Sequence, residues 1–232
     1  MNTSSTARMP KQSRNRLVTV LLACGIFIAV VQIAGDVVAA ARYPGYSYAN
    51  QTVSELSAIG APTRPFQAGV GLVFEALVLA FAVGVWLMAS GRRNLKISAV
   101  LLGMFALNAL VWGLFPMQQR GSEMAATDVA HIVGAIVQVV TIVLFIAFGS
   151  GADGRWFRIF SIALIVAILG AGALAGTQAG RIAAGSPTPF IGLIERVSFY
   201  GPSIWILVLA IELLRQQRER LESTEDPSPN PV

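Results

Sequence analysis

Apolar residues in this chain do not alternate with polar ones. They gather in six long runs, at about 17–41, 66–89, 96–118, 127–149, 157–178 and 197–214. Runs of this length match what a helix needs to cross a hydrocarbon core roughly 30 Å thick. Lipid offers the backbone no hydrogen-bond partner, so each run is expected to be helical. The pattern predicts an all-α fold, a polytopic bundle of six transmembrane helices spanning about 17–214. Residues 1–16 are rich in Ser and Thr, carry Arg8, Lys11, Arg14 and Arg16, and contain no acid. They read as a disordered basic tail. Residues 215–232 read as a charged helical extension, Arg215 to Glu225, followed by a Pro-rich tail that cannot stay helical. The links 42–65 and 179–196 are long; the other three are short.

Composition agrees with this pattern. Of 232 residues, 55% are hydrophobic and 12% charged, against roughly a quarter charged in a soluble domain. The mean hydropathy of +0.66 leaves too little polar surface for a soluble fold. A single cysteine, Cys24, and a single histidine, His131, exclude an intrachain disulfide, a multi-cysteine metal site and a bis-histidine haem. No metal and no cofactor is implied.

The net charge of +5 and pI near 10 suggest nucleic acid until the cations are placed. Twelve of the 17 Lys and Arg residues fall on the side that holds both termini, and five on the side of the long loops. Positive flanks stay in the cytoplasm. Both termini are therefore expected inside a cell membrane and both long loops outside, so nucleic-acid binding is not needed. The rival reading of the first run is a signal peptide cleaved near Ala41, which the length of the run and Asp36 disfavour. Gly69, Gly71, Gly84, Gly170, Gly172 and Gly176 suit close helix packing within the chain. Homodimerisation is the alternative, though nothing in the sequence indicates it.

Ionisable groups inside lipid are costly and mark sites. Asp36, Asp128, His131, Glu195 and Arg196 lie near the outer ends of their spans, whereas Glu75 and Asn108 are deeper. Glu75 lies about 13 Å past Phe66 at helical rise. The inner halves of the spans are almost purely apolar. The simplest object of this shape is a polar cavity that opens outward and is floored by Glu75 and Asn108.

Asp128, His131 and Gln138 share one helical face, with Thr127 placed to cap the helix. A carboxylate one turn from an imidazole suits a general base; a structural ion pair of this group with Asp36 or Arg196 is the alternative. Glu75 reads as a proton-exchanging or cation-binding acid, or as a neutral carboxyl. His131, Asp128 and Glu75 are the catalytic candidates.

In the first long loop, Thr52-Val53-Ser54-Glu55 has capping-box spacing, which predicts a short surface helix over 53–59. Ser54, Glu55 and Ser57 would then join the ligand-binding set at the cavity mouth. No Gly-x-Ser-x-Gly elbow surrounds either serine, so a serine nucleophile would rest on residue type alone. Trp112, Trp156 and Trp205 lie near span ends, where interface anchors are expected.

The stretch Tyr43-Pro44-Gly45-Tyr46, the run Thr52 to Pro62, Phe115-Pro116, His131 and Gly192-Leu193-Ile194-Glu195-Arg196 resemble the pattern of the domain of unknown function 998 family. The likeness runs from about 35 to 214. It implies a six-span bacterial membrane protein and brings no established activity, so no residue role comes from it.

The expected function is to bind, with turnover undecided, a lipid or small amphiphile from the outer leaflet. Its polar set is Asp36, Ser54, Glu55, Ser57, Glu75, Asn108, Asp128, His131, Glu195 and Arg196. A proton-coupled small-molecule carrier using Glu75 and His131 is one alternative. A scaffold or assembly protein is the other.

Overall fold

The computed structural model describes residues 11–225, with side chains over 12–223. The expected tail segment 1–10 and the Pro-rich end 226–232 lie outside the described residues. Seven α-helices follow in order: α1 Lys11–Arg42, α2 Arg64–Ala89, α3 Arg93–Trp112, α4 Ala126–Gly149, α5 Arg155–Gly176, α6 Ala179–Ala183 and α7 Ile191–Glu225. A 3₁₀ turn, Val53–Ser57, lies between α1 and α2. Six of the helices are long and apolar enough to cross a membrane; α6 is not.

The boundaries differ from expectation in ways the local chemistry explains. Residues 11–16 belong to α1 instead of a disordered tail, because the apolar run behind them lets the helix propagate outward past its own first turn. α3 stops at Trp112, not Gln118: Gly113 closes it and Pro116 could not continue it. α7 begins six residues before the expected span and runs through Pro202 without interruption, carrying the charged 215–225 segment as one rod.

Around the bundle the packing order is α4, α3, α2, α1, α7, α5. α4 and α5 adjoin in sequence but touch only slightly, so the ring is least closed at that seam. In lipid, where the hydrophobic effect between spans is absent, close packing and interhelical hydrogen bonds hold such a ring. An aromatic chain threads it: Phe74 of α2 meets Phe105 of α3, which meets Phe145 of α4, then Trp205 of α7, then Phe157 of α5, with centroids 5.5–6.2 Å apart. Each such contact contributes about 0.5–1.5 kcal/mol beyond area.

Trp205 is fully buried in this core and donates its indole N–H to Ser161 Oγ at 2.9 Å. The interface-anchor reading of Trp205 is therefore wrong, since Ser161 satisfies its one polar group inside the bundle. Trp156, 82% exposed, lies at the edge as expected. Ser98 Oγ donates to the Phe145 carbonyl and Ser198 Oγ to the Ile168 carbonyl, each at 2.8 Å, tying α3 to α4 and α7 to α5.

Candidate functional site

The two long loops and the 3₁₀ turn close one end of the bundle. The turn is shorter than the expected 53–59 helix, and it plugs the bundle where a surface helix had been expected: Val53, Glu55 and Leu56 are buried against Ala39 with Tyr43, Tyr46, Phe66 and Phe199 around them. The capping-box pairing holds from one side. The Glu55 carboxylate accepts the Thr52 backbone N–H at 2.7 Å and its hydroxyl at 3.0 Å.

Three polar groupings occupy this end. In the first, Arg196 of α7 forms a two-pronged pair with Asp36 of α1, at 2.7 and 2.9 Å, both side chains almost fully buried. The guanidinium also donates to the Tyr48 carbonyl at 2.7 Å and the Tyr46 hydroxyl at 3.0 Å, and stacks over the Tyr48 ring at 3.4 Å. Tyr200 donates to Asp36 and shares a hydrogen bond with Tyr48. Burial pushes the Tyr46 phenol above its usual range, against the opposing pull of Arg196. Every strong acceptor and donor here has a partner, which describes a clamp between α1, α7 and the first loop.

In the second, Glu55 receives both Arg120 Nε and Nη2, at 2.8 and 2.9 Å. Burial alone would raise the Glu55 carboxyl, but the Arg120 bonds, the Thr52 amide and Gln51 outweigh it and hold the carboxyl below the ordinary glutamate value. Arg120 Nη1 reaches the Ser186 carbonyl at 3.0 Å, so one guanidinium joins all three loops. Nearby, Glu195 accepts the Val53 backbone N–H. A depression of about 530 Å³ lies over this grouping, lined among others by Asn50, Gln51, Arg120, Ser186 and Thr188.

The third grouping surrounds His131 on the first turns of α4. Nδ1 lies 2.9 Å from the Phe115 carbonyl, an acceptor only, so Nδ1 carries the proton and donates. Nε2 is then an acceptor, and Ser54 Oγ lies 3.3 Å from it with a hydroxyl to give. The imidazole packs at 4.8 Å against the Trp112 ring, whose N–H donates to the His131 carbonyl at 2.9 Å. Gly134 leaves room for that indole, since a Cβ there would meet Trp112 Cδ1 at 2.5 Å.

Several expectations are corrected. Asp128 does not orient His131. Its two oxygens accept the Ala125 and Gln118 backbone N–H groups at 2.8 and 2.7 Å, capping α4 and pinning the α3–α4 loop. A carboxylate in a first helical turn has unsatisfied backbone donors closer to hand than a side chain one turn on. The N-cap is Ala125, not Thr127, whose hydroxyl accepts from Gln118 Nε2 at 3.5 Å. The expected pairing of the His131 group with Asp36 or Arg196 is replaced by the Asp36–Arg196 clamp.

Ser57 donates to the Ser54 carbonyl at 3.2 Å within its own turn and does not line the loop-end depression. Asn108 donates to Gln138 Oε1 at 2.6 Å and the Gly134 carbonyl at 3.3 Å along the α3–α4 seam. Glu75, 8% exposed on α2, has no hydrogen-bonding or ionic partner among the described residues, and neither it nor Asn108 floors the loop-end depression. Asn108 faces the α3–α4 seam, and no hydrogen bond joins it to Glu75. Arg120, Gln118 and the Phe115 carbonyl belong to the site and escaped sequence reasoning; the acid Glu55, which needed a cation, was the signal for Arg120.

No curated protein and no solved structure matches the chain. A family model described as "protein of unknown function (DUF998)" matches residues 14–212, which takes in all of the loop-end groupings just described. A match over that share of the chain extends the resemblance seen in the loop motifs to nearly the whole bundle: the chain belongs to the DUF998 family.

Proposed function

We propose that the protein binds a lipid or small amphiphile at its loop end, with the polar head beside His131 and Ser54 and the apolar part along the outward face of α4. The observation that carries this reading is the Ser54–His131 pair. Unlike the other two groupings, it is not locked by an Arg–carboxylate pair, and the Ser54–His131 bond is long, at 3.3 Å. Nδ1 is held by a backbone carbonyl while Nε2 faces a hydroxyl, an arrangement able to accept a proton. Beside it Leu114, Met124, Val129 and Ile132 are exposed, and the α4–α5 seam is the least closed of the ring. The excess of Lys and Arg at the opposite end supports a cell membrane with both termini cytoplasmic and the site facing out.

Photolabelling tests this reading. The full chain in neutral detergent is irradiated with a lysophospholipid carrying a diazirine on its chain. Label should concentrate in 114–137 and fall several-fold in His131→Gln; label spread evenly over the six spans and unchanged in the variant rejects the site. Labelling of Ser54 by a fluorophosphonate, abolished in Ser54→Ala, would add turnover. Its absence beside retained lipid labelling would mean binding alone.

A second reading has its own observation. Glu75 is a carboxyl buried in a span without a partner, as a proton-coupled carrier would require. Loss of proton-driven uptake in proteoliposomes of Glu75→Gln, with His131→Gln active, would favour it.

A further inference from the structure

The end opposite the long loops carries its own depression, about 430 Å³ in volume, within the range of about 300–1,000 Å³ of small-molecule sites. It opens where the start of α1, the end of α2, the start of α3 and the far part of α7 meet. Arg14, Lys96 and Arg220 line it, and no Asp or Glu does among the described residues. Four acids of this end pair with arginines outside the cavity. Asp153, Glu212 and Glu219 pair with Arg215 at 3.1, 3.0 and 3.4 Å, and Glu222 pairs with Arg218 at 2.8 Å. Arg92 adds to the positive field. Burial and the charge of Arg220 both lower its pKa, and its Nε is buried without a hydrogen-bond partner among the described residues.

An independent feature points at a ligand. Gln217 is 7% exposed, lines this cavity and forms no hydrogen bond among the described residues. Its carboxamide can donate twice to an acceptor placed in the cavity. Apolar residues share the lining: Val18, Trp86, Leu87, Met88 and Leu221 stand among the cations. Trp86 and Leu87 are 46% and 43% exposed toward lipid, and Lys96 Nζ stands 5.3 Å over the Trp86 ring.

We propose that this corner holds the phosphate of an anionic phospholipid from the adjacent leaflet. Arg14 and Lys96 reach the phosphate oxygens, Gln217 donates its amide, and the glycerol and chains leave over Trp86 and Leu87. A soluble phosphate has the same head-group chemistry but no use for the apolar lining, which lies level with the span ends and runs into the lipid-facing surface.

The experiment uses the full chain in neutral detergent with dioleoyl phosphatidylglycerol, dioleoyl phosphatidylcholine or inorganic phosphate. Native mass spectrometry reads retention, and the thermal midpoint reads stabilisation. Phosphatidylglycerol should be retained and should raise the midpoint, phosphatidylcholine should do neither, and inorganic phosphate should not displace the lipid. Lys96→Gln and Gln217→Leu should each weaken retention roughly tenfold, the order a charge-assisted hydrogen bond contributes.

Arg218→Gln, outside the cavity, should bind as the wild type does. Equal retention of the two lipids, or equal weakening in Arg218→Gln, would reduce the effect to general surface charge and overturn the proposal. Displacement by inorganic phosphate would overturn the lipid assignment.

Discussion

Residues of the same type at the loop end differ sharply in what their environment asks of them. Asp36 has a buried guanidinium locked to both oxygens, and breaking such a pair leaves an uncompensated buried charge. Asp36→Asn should therefore cost about 3–5 kcal/mol, read as a large fall in the thermal midpoint. Glu55 is the pH-sensitive member. Its carboxyl is held below the ordinary glutamate value, so the stability it contributes is complete above that value and is lost as pH falls through the lower folded one. The midpoint gap between wild type and Glu55→Gln should be constant near neutrality and shrink below about pH 4. A gap that widens on acidification would contradict the Glu55–Arg120 account. Asp128 illustrates why residue roles were only half legible. Spacing placed it one turn from His131, and the nearer amides of Ala125 and Gln118 claimed both its oxygens.

At the scale of elements, the six spans were readable because length and apolarity are one-dimensional properties that lipid enforces. The loops were not, because their structure is set by partners distant in sequence. Thr52 to Glu55 announced a capped turn, yet Glu195 on the Val53 amide and Arg120 on Glu55 decided that it would be a buried 3₁₀ plug. The start of α7 shows the same dependence. Gly192 lies where a Cβ would fall on the carbonyls of Gln51 and Tyr48, and its own N–H donates to Ala49 at 2.9 Å. Gly192→Ala should force α7 away from the first loop. Limited proteolysis should then cleave 42–63 faster than in the wild type, with the spans intact; unchanged cleavage would mean the approach is not tight.

For the whole molecule, the two ends divide the work. The long-loop end locks its buried charges to one another, through the Asp36–Arg196 and Glu55–Arg120 pairs, and sets one imidazole against one hydroxyl. The other end sets Arg14 and Lys96 beside a cavity. The expectation of a single outward cavity floored by Glu75 and Asn108 failed because depth along a helix can be counted from sequence, whereas the direction a side chain faces depends on which neighbour its helix packs against. The central claim is that His131 and Ser54 are present for a ligand while Asp36 and Arg196 are present for the fold. The most direct test compares thermal midpoints of the full chain, in one detergent, for Asp36→Asn, His131→Gln and Ser54→Ala. The account predicts a large fall for Asp36→Asn and changes within about 1 kcal/mol for the other two, as for sites the fold does not need. Variants of His131 and Ser54 that melt as low as Asp36→Asn would contradict it and make the third grouping another structural clamp.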